Sequence, residues 1–135
     1  MDFRFQEIDN FGVVSVNVKR ATFFEASSFN EFLNYYLSQN INNYVVDLSY
    51  CDYIDAAFLS NLLHLLRTIS LRGGKLRVVK PMVGLDFAFQ NLNSVRILDF
   101  DDNVESALQT FKGRLKIRVR NENGFNSSTM APKFL

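Results

Sequence analysis

The sequence contains one cysteine, Cys51, and no tryptophan among its 135 residues. A lone thiol excludes an internal disulfide, and it excludes a thiolate cluster able to hold zinc. Histidine is equally scarce: His64 is the only one. As a general base it would need a partner across a cleft, and no partner is readable. No stretch approaches the ~20 apolar residues of a membrane span. The opening, Met1-Asp2-Phe3-Arg4, has no basic segment followed by a long apolar one, so no signal peptide is expected. Net charge is only +1, so no global field draws the chain towards nucleic acid or an anionic membrane. These absences lead to an expectation of a cytoplasmic protein without nucleic-acid partners, membrane insertion or cofactor.

What is present is apolar. Hydrophobic residues make up 47% of the chain, with 14 phenylalanines, which fits a globular protein and argues against wholesale disorder. The length suffices for one domain with a real core, but not comfortably for two.

The chain is organised around residues 44 to 79. Tyr44 to Leu48 is an almost unbroken apolar run, as expected of a strand covered on both faces. Asp55 stands just before a helical pattern. Its carboxylate suits the exposed amides and the positive dipole end of a first turn, so it is the predicted N-cap. Gly73 and Gly74 end that helix, because a helix stop favours left-handed backbone. Lys75 to Lys80 reads as the next strand. Strand, helix and strand in this order make a parallel crossover.

The flanking elements extend the pattern. Residues 3 to 8 and 12 to 19 read as two strands, with hairpin chemistry at Asn10-Phe11-Gly12. Ala21 to Ser27 reads as a connection carrying Phe23 and Phe24, at least one of which faces out. Ser28-Phe29-Asn30-Glu31 has capping-box form and opens a helix with Phe29, Phe32, Leu33, Tyr36 and Leu37 at helical spacing. On a wheel of ~100° per residue, the central helix from Asp55 to about Arg72 places Ala56, Leu59, Leu62, Leu63, Leu66 and Ser70 on its inner face. Ala57, Asn61, His64 and Thr68 point away. Phe58, Leu65 and Ile69 widen the apolar arc, so either neighbouring helices cover that flank or Phe58 and Leu65 belong to a partner surface. After Pro81 a short helix is predicted, then a strand at Val95 to Leu98. Asp101-Asp102-Asn103 is expected to cap a last helix, Asp102 and Glu105 having capping-box spacing, with Val104, Ala107, Leu108 and Phe111 inside. The alternation defines an α/β class with a mixed sheet, parallel crossovers and about four helices.

The succession Val45-Val46-Asp47-Leu48-Ser49, then Tyr53-Ile54-Asp55 with Leu59, then Arg72-Gly73-Gly74-Lys75-Leu76 with Val78-Val79 resembles the STAS domain, the fold of bacterial anti-sigma factor antagonists. The resemblance spans roughly residues 10 to 112. It implies a phosphorylatable Ser or Thr after the capping Asp, modified by a partner kinase to control binding. Here Ala56 and Ala57 follow Asp55, so that switch cannot operate at this position. The resemblance also implies an acidic residue in the loop before the first helix, with small and apolar positions matched by Ala26 and Phe29; Thr22 falls where the Asp is expected.

On this resemblance the chain is expected to be a non-enzymatic interaction module. Its partner would be a protein such as a kinase-like anti-sigma factor, and a homodimer is left open. The expected partner-binding residues are Thr22, Phe23, Phe24, Asp55, Ala56, Ala57, Phe58, Asn61 and Leu65. The alternative is a structural STAS subunit of a larger assembly, stressosome-like or associated with a lipid-transport ATPase. It is motivated by two segments beyond a STAS-like domain at 1–112. Residues 113–120 alternate as an additional strand, and 121–135 read as a flexible tail.

Other chemistry is weak. Asp47, Asp52 and Asp55 lie near one another in sequence and can be weighed as a magnesium site, but Asp55 is already accounted for as a cap and no metal is expected. Cys51 reads as a small buried residue rather than a nucleophile. Arg72-Gly73-Gly74-Lys75 comes after a helix instead of opening one, unlike a phosphate-binding loop.

Overall fold

A computed structural model describes residues 2–81 and 98–111. The chain divides into two compact units, Met1–Val104 and Glu105–Leu135. In the first unit, strands β1 (Phe3–Ile8) and β2 (Phe11–Val16) form an antiparallel hairpin with Ile8 opposite Phe11. Asp9 and Asn10 make the turn, at φ 51° and 70°. Both are left-handed, which matches the twist of a two-residue hairpin, and Asp and Asn tolerate that backbone best after glycine. The turn therefore precedes the expected Asn10–Gly12 position, and Phe11 and Gly12 belong to the strand.

The remaining long strands add in parallel. Strand β4 (Asn43–Asp47) pairs with β2, β6 (Lys75–Val79) with β4, and the short β7 (Phe100–Asp101) with β6. The five-stranded order is β1-β2-β4-β6-β7. A separate parallel pair joins β3 (Arg20–Ala21) to β5 (Tyr53–Ile54). Two long helices connect the strands: α1 (Phe23–Leu37) and α2 (Ala56–Leu71). Val14, Val16, Tyr44, Val46, Leu76 and Val78 on one sheet face pack with Phe29 and Leu33 of α1 and with Phe58, Leu62 and Ile69 of α2. On the other face, Val13, Val45 and Val79 are equally buried, which explains the continuous apolar run of β4.

Several expectations are corrected. Helix α1 begins at Phe23, not after Ser28, because Thr22 and Glu25 form the capping box. The buried face of α2 is Phe58, Leu59, Leu62, Leu65 and Ile69, while Ala56 and Ser70 are exposed and Leu63 and Leu66 half-buried. The helix packs against α1 as well as the sheet, with the Phe29 and Phe58 rings 4.8 Å apart, so its buried arc is turned towards α1. Among the described residues a short strand stands at Phe100–Asp101, and Leu98, the one described residue of the strand expected at 95–98, is a buried bend residue. Asp101 forks onto Arg77, and Asp102 pairs with Lys80 at 2.7 Å. Asp102 thus ties the strand ends, and the next helix, α3 (residues 104–111), opens after Asn103. Of the stripe expected in α3, Ala107, Leu108 and Phe111 are buried and Val104 is half-buried. The described residues contain three helices. The helix expected after Pro81, most of the strand at 95–98, the strand at 113–120 and the tail lie outside the described residues.

The stop of α2 has two parts. Gly73 is left-handed at φ 78°. Its amide reaches the Ser70 carbonyl at 3.0 Å, and the Gly74 amide reaches the Ile69 carbonyl at 2.9 Å, the paired closure of a Schellman motif. Gly74 also lies hard against the chain entering β4: a Cβ there would sit 1.8 Å from the Asn42 carbonyl oxygen. Gly73→Ala should therefore cost only about 1–2 kcal/mol, the strain of left-handed backbone. Gly74→Ala should cost more, about 3 kcal/mol, because backbone must move. Urea unfolding of both variants measures the order.

Candidate functional site

The starts of α1 and α2 lie side by side. The β3–β5 ladder sets Arg20 opposite Tyr53 and Ala21 opposite Ile54. Further bonds extend it: the amides of Asp52 and Tyr53 both donate to the Lys19 carbonyl, at 2.7 and 3.2 Å, and that of Asp55 donates to the Ala21 carbonyl at 3.0 Å. The two segments entering the helices are thus one paired unit.

Asp55 completes the joint. Its Oδ1 accepts from the Phe58 amide of its own helix, and its Oδ2 accepts from the Phe23 amide of α1, both at 2.9 Å. One carboxylate therefore caps two helices and puts its charge where both dipoles are positive. Thr22 caps α1 from the other side. Its hydroxyl accepts from the Phe24 amide at 3.2 Å, and Glu25 Oε1 accepts from the Thr22 amide and hydroxyl at 2.8 and 2.7 Å. A turn deeper, Asn61 Nδ2 donates to the Ala26 carbonyl, and Asn61 Oδ1 accepts from Asn30.

Around this joint the surface is aromatic. Phe23 and Phe24 are 69% and 84% exposed, an unusual state for two large apolar side chains side by side. Tyr50 and Tyr53 are exposed too. The Arg20 guanidinium lies 4.3 Å over the Tyr53 ring centroid, and the Lys19 ammonium 5.0 Å over that of Tyr50. An open cleft of about 390 Å³ runs between Arg20, Phe23, Phe24 and Tyr53, with Thr22, Glu25 and Asp55 in its wall. Ala56, first residue of α2, is exposed at the same mouth, and Ala57 is half-buried.

Of the expected partner residues, the mouth brings together Thr22, Phe23, Phe24, Asp55, Ala56 and Ala57. Phe58 and Leu65 are corrected: at 0% and 4% exposure they are core residues facing α1 and the sheet, and offer nothing to a partner. Asn61 does not point away either, since both ends of its amide bind α1. The sequence reading missed Arg20, Tyr53, Glu25 and the Lys19–Tyr50 pair. Only Glu25 had a local signal, as the third residue after Thr22.

The remaining chemistry is dispersed. Asp47 accepts from the Ser49 amide, Asp52 pairs with Lys19 at 3.7 Å, and Asp55 caps helices. Among the described residues no group of three His, Cys, Asp or Glu side chains converges as a metal site. His64 is exposed on α2. Cys51 is buried, its thiol 3.9 Å from the Val16 carbonyl oxygen. Burial first, then the charges of Asp47 and Asp52, push its pKa up to about 12, which leaves it a neutral thiol. No helix among the described residues is long and apolar enough to cross a membrane.

Comparison with known proteins points one way. The STAS domain family model matches residues 2–107. A protein of Thermotoga neapolitana named as a homologue of an anti-sigma factor antagonist is 28% identical over 99 residues, 73% of this chain and 84% of its own. The crystal structure of an anti-sigma factor antagonist from Thermotoga maritima superposes with a TM-score of 0.66 at 22% identity, covering 82% of this chain and 94% of that one. The Bacillus cell fate determinant SpoIIAA in its phosphorylated form gives 0.61 at 11% identity, covering 81% and 98%. The structural likenesses establish the mixed α/β fold.

Three outcomes test the joint. Asp55→Ala removes two caps and should cost about 2 kcal/mol, at ~1 kcal/mol for each. Asp55→Asn keeps one acceptor and should cost about half as much. Hydrogen exchange should quicken at the Phe23 and Phe58 amides together in Asp55→Ala. Cys51 should resist a disulfide reagent at pH 8 in the folded protein. Because its folded pKa is raised, the reactive thiolate appears only on unfolding, and labelling should track the denaturation curve.

Proposed function

The chain belongs to the STAS domain family, and we propose that it is a non-enzymatic interaction module of the anti-sigma factor antagonist kind. It engages a regulatory protein through the paired helix starts, with no phosphorylation switch at that place. The observation that carries the proposal is Ala56 exposed at the first position of α2, beside the exposed Phe23 and Phe24.

The physical logic concerns charge. A phosphate at the mouth would add about −1.5 to −2 charges. It would stand next to the Asp55 carboxylate, whose two oxygens are already engaged by the Phe58 and Phe23 amides. Repulsion, together with the cost of desolvating a dianion, would oppose docking. Methyl groups at 56 and 57 bring neither effect, so the mouth stays small, apolar and permanently receptive. No turnover belongs to this module. His64 lies exposed on the helix, Cys51 is a buried neutral thiol, and Asp47, Asp52 and Asp55 each serve a separate structural bond. The alternative of an assembly subunit rests on residues 113–135, outside the described residues, and no observation among the described ones favours it.

Ala56→Asp separates binding from folding. An acidic residue in the first turn suits the helix dipole, so stability should hold or rise by up to about 1 kcal/mol. Affinity for the partner captured from native cell extract should fall by about tenfold or more, equivalent to roughly 1.4 kcal/mol. Calorimetry on the purified pair measures it, and unchanged affinity would remove this surface from the interface.

A further inference from the structure

We propose that Arg20 reads the partner, by taking a carboxylate that the partner presents next to an apolar side chain. This deepens the docking role of the paired helix starts and rests on it. Arg20 is the first residue of β3 and is exposed at the mouth. Among the described residues its guanidinium forms no ion pair; its partner is the Tyr53 ring, 4.3 Å away.

The neighbouring acids are differently placed. Asp55 is held by the Phe23 and Phe58 amides, Glu25 by the amide and hydroxyl of Thr22, and Asp52 by Lys19. Arg20 therefore holds a fork of N–H donors that none of these acids takes up. The cation–π contact with the ring restrains the guanidinium, so less freedom is lost when the fork closes on a carboxylate. That fork matches the two oxygens of a carboxylate and forms a charge-assisted pair. The same cleft is walled by Phe23 and Phe24, whose exposed rings give the residue beside that carboxylate an apolar seat.

Aromatic rings beside cations also suit single-stranded nucleic acid. The mouth argues against it. Glu25, Asp52 and Asp55 keep three negative charges around two cations, Lys19 and Arg20. A run of phosphates would meet those charges repeatedly, whereas one carboxylate needs only the single fork. The favoured occupant is therefore a protein segment with Asp or Glu adjacent to an aliphatic or aromatic residue.

The test is selection of binders from a displayed library of short random peptides on the whole chain, with titration of the selected peptides against variants. Phe24→Ala marks the face. Peptides that lose affinity with Phe24→Ala should share an acidic residue next to an apolar one. Their affinity should fall roughly ten- to a hundredfold with Arg20→Gln, the range of a hydrogen-bonded charge pair. Arg20→Glu should reverse the selection, enriching Lys or Arg at the same place. Circular dichroism checks that each variant folds. Face-dependent binders that lack an acid, or that bind Arg20→Gln unchanged, overturn the role of Arg20 while the docking face stands. A selection yielding no Phe24-dependent peptide overturns both. Tighter binding to a single-stranded oligonucleotide than to any selected peptide would replace the partner class and overturn the proposal.

Discussion

The structure depends most on a single carboxylate shared by two helices. Asp55 is close to α2 in sequence, but its second oxygen serves α1, thirty-two residues earlier. Every helix leaves its first amides unbonded, and those amides carry partial positive charge. Two helix starts set next to each other would repel and would expose a double set of donors. One anion between them offsets the repulsion and accepts from one amide of each start. The β3–β5 pair and the Asn61–Ala26 bond act on the same joint from either side.

How far this could be read in advance depends on where each signal lies. Helix α2 was legible at both ends, because its cap Asp55 and its stop Gly73-Gly74 are local devices. The α/β class was legible as well, since β4 carries apolar residues on both faces and a glycine stop leads into β6. The start of α1 was not. Thr22-x-x-Glu25 and Ser28-x-x-Glu31 have the same form, and Phe23-Phe24 resembles a connection that exposes a ring. The choice is made by Asp55 accepting from the Phe23 amide, a contact absent from any local window. Strands β3 and β5, two residues each, are too short to show periodicity.

The wheel of α2 illustrates a related limit. It identified an apolar arc wider than the sheet required, but not what lay against the excess. Phe58 and Leu65 fill that flank from inside, with Phe58 against Phe29. The exposed side chains at the helix starts obey no helical period: Phe23 and Phe24, already expected there, lie in a first turn, and Arg20 and Tyr53 lie in a ladder. The candidate site was therefore half legible. Its cap and its missing hydroxyl stood in the sequence, while the side chains that surround them were assembled by the fold.

The division of labour at the joint bears on how such a module diversifies. The groups that tie the helices together are backbone amides, Asp55, Thr22 and Glu25, each engaged in at least one bond. Of the groups that face outward, Phe23, Phe24 and Ala56 are exposed, and Arg20 meets the joint through the Tyr53 ring. Most of those outward side chains can therefore change while the scaffold stays put. A duplicated copy could acquire a new allegiance by exchanging a few surface side chains, and remain insulated from its sibling without ever passing through an unfolded ancestor.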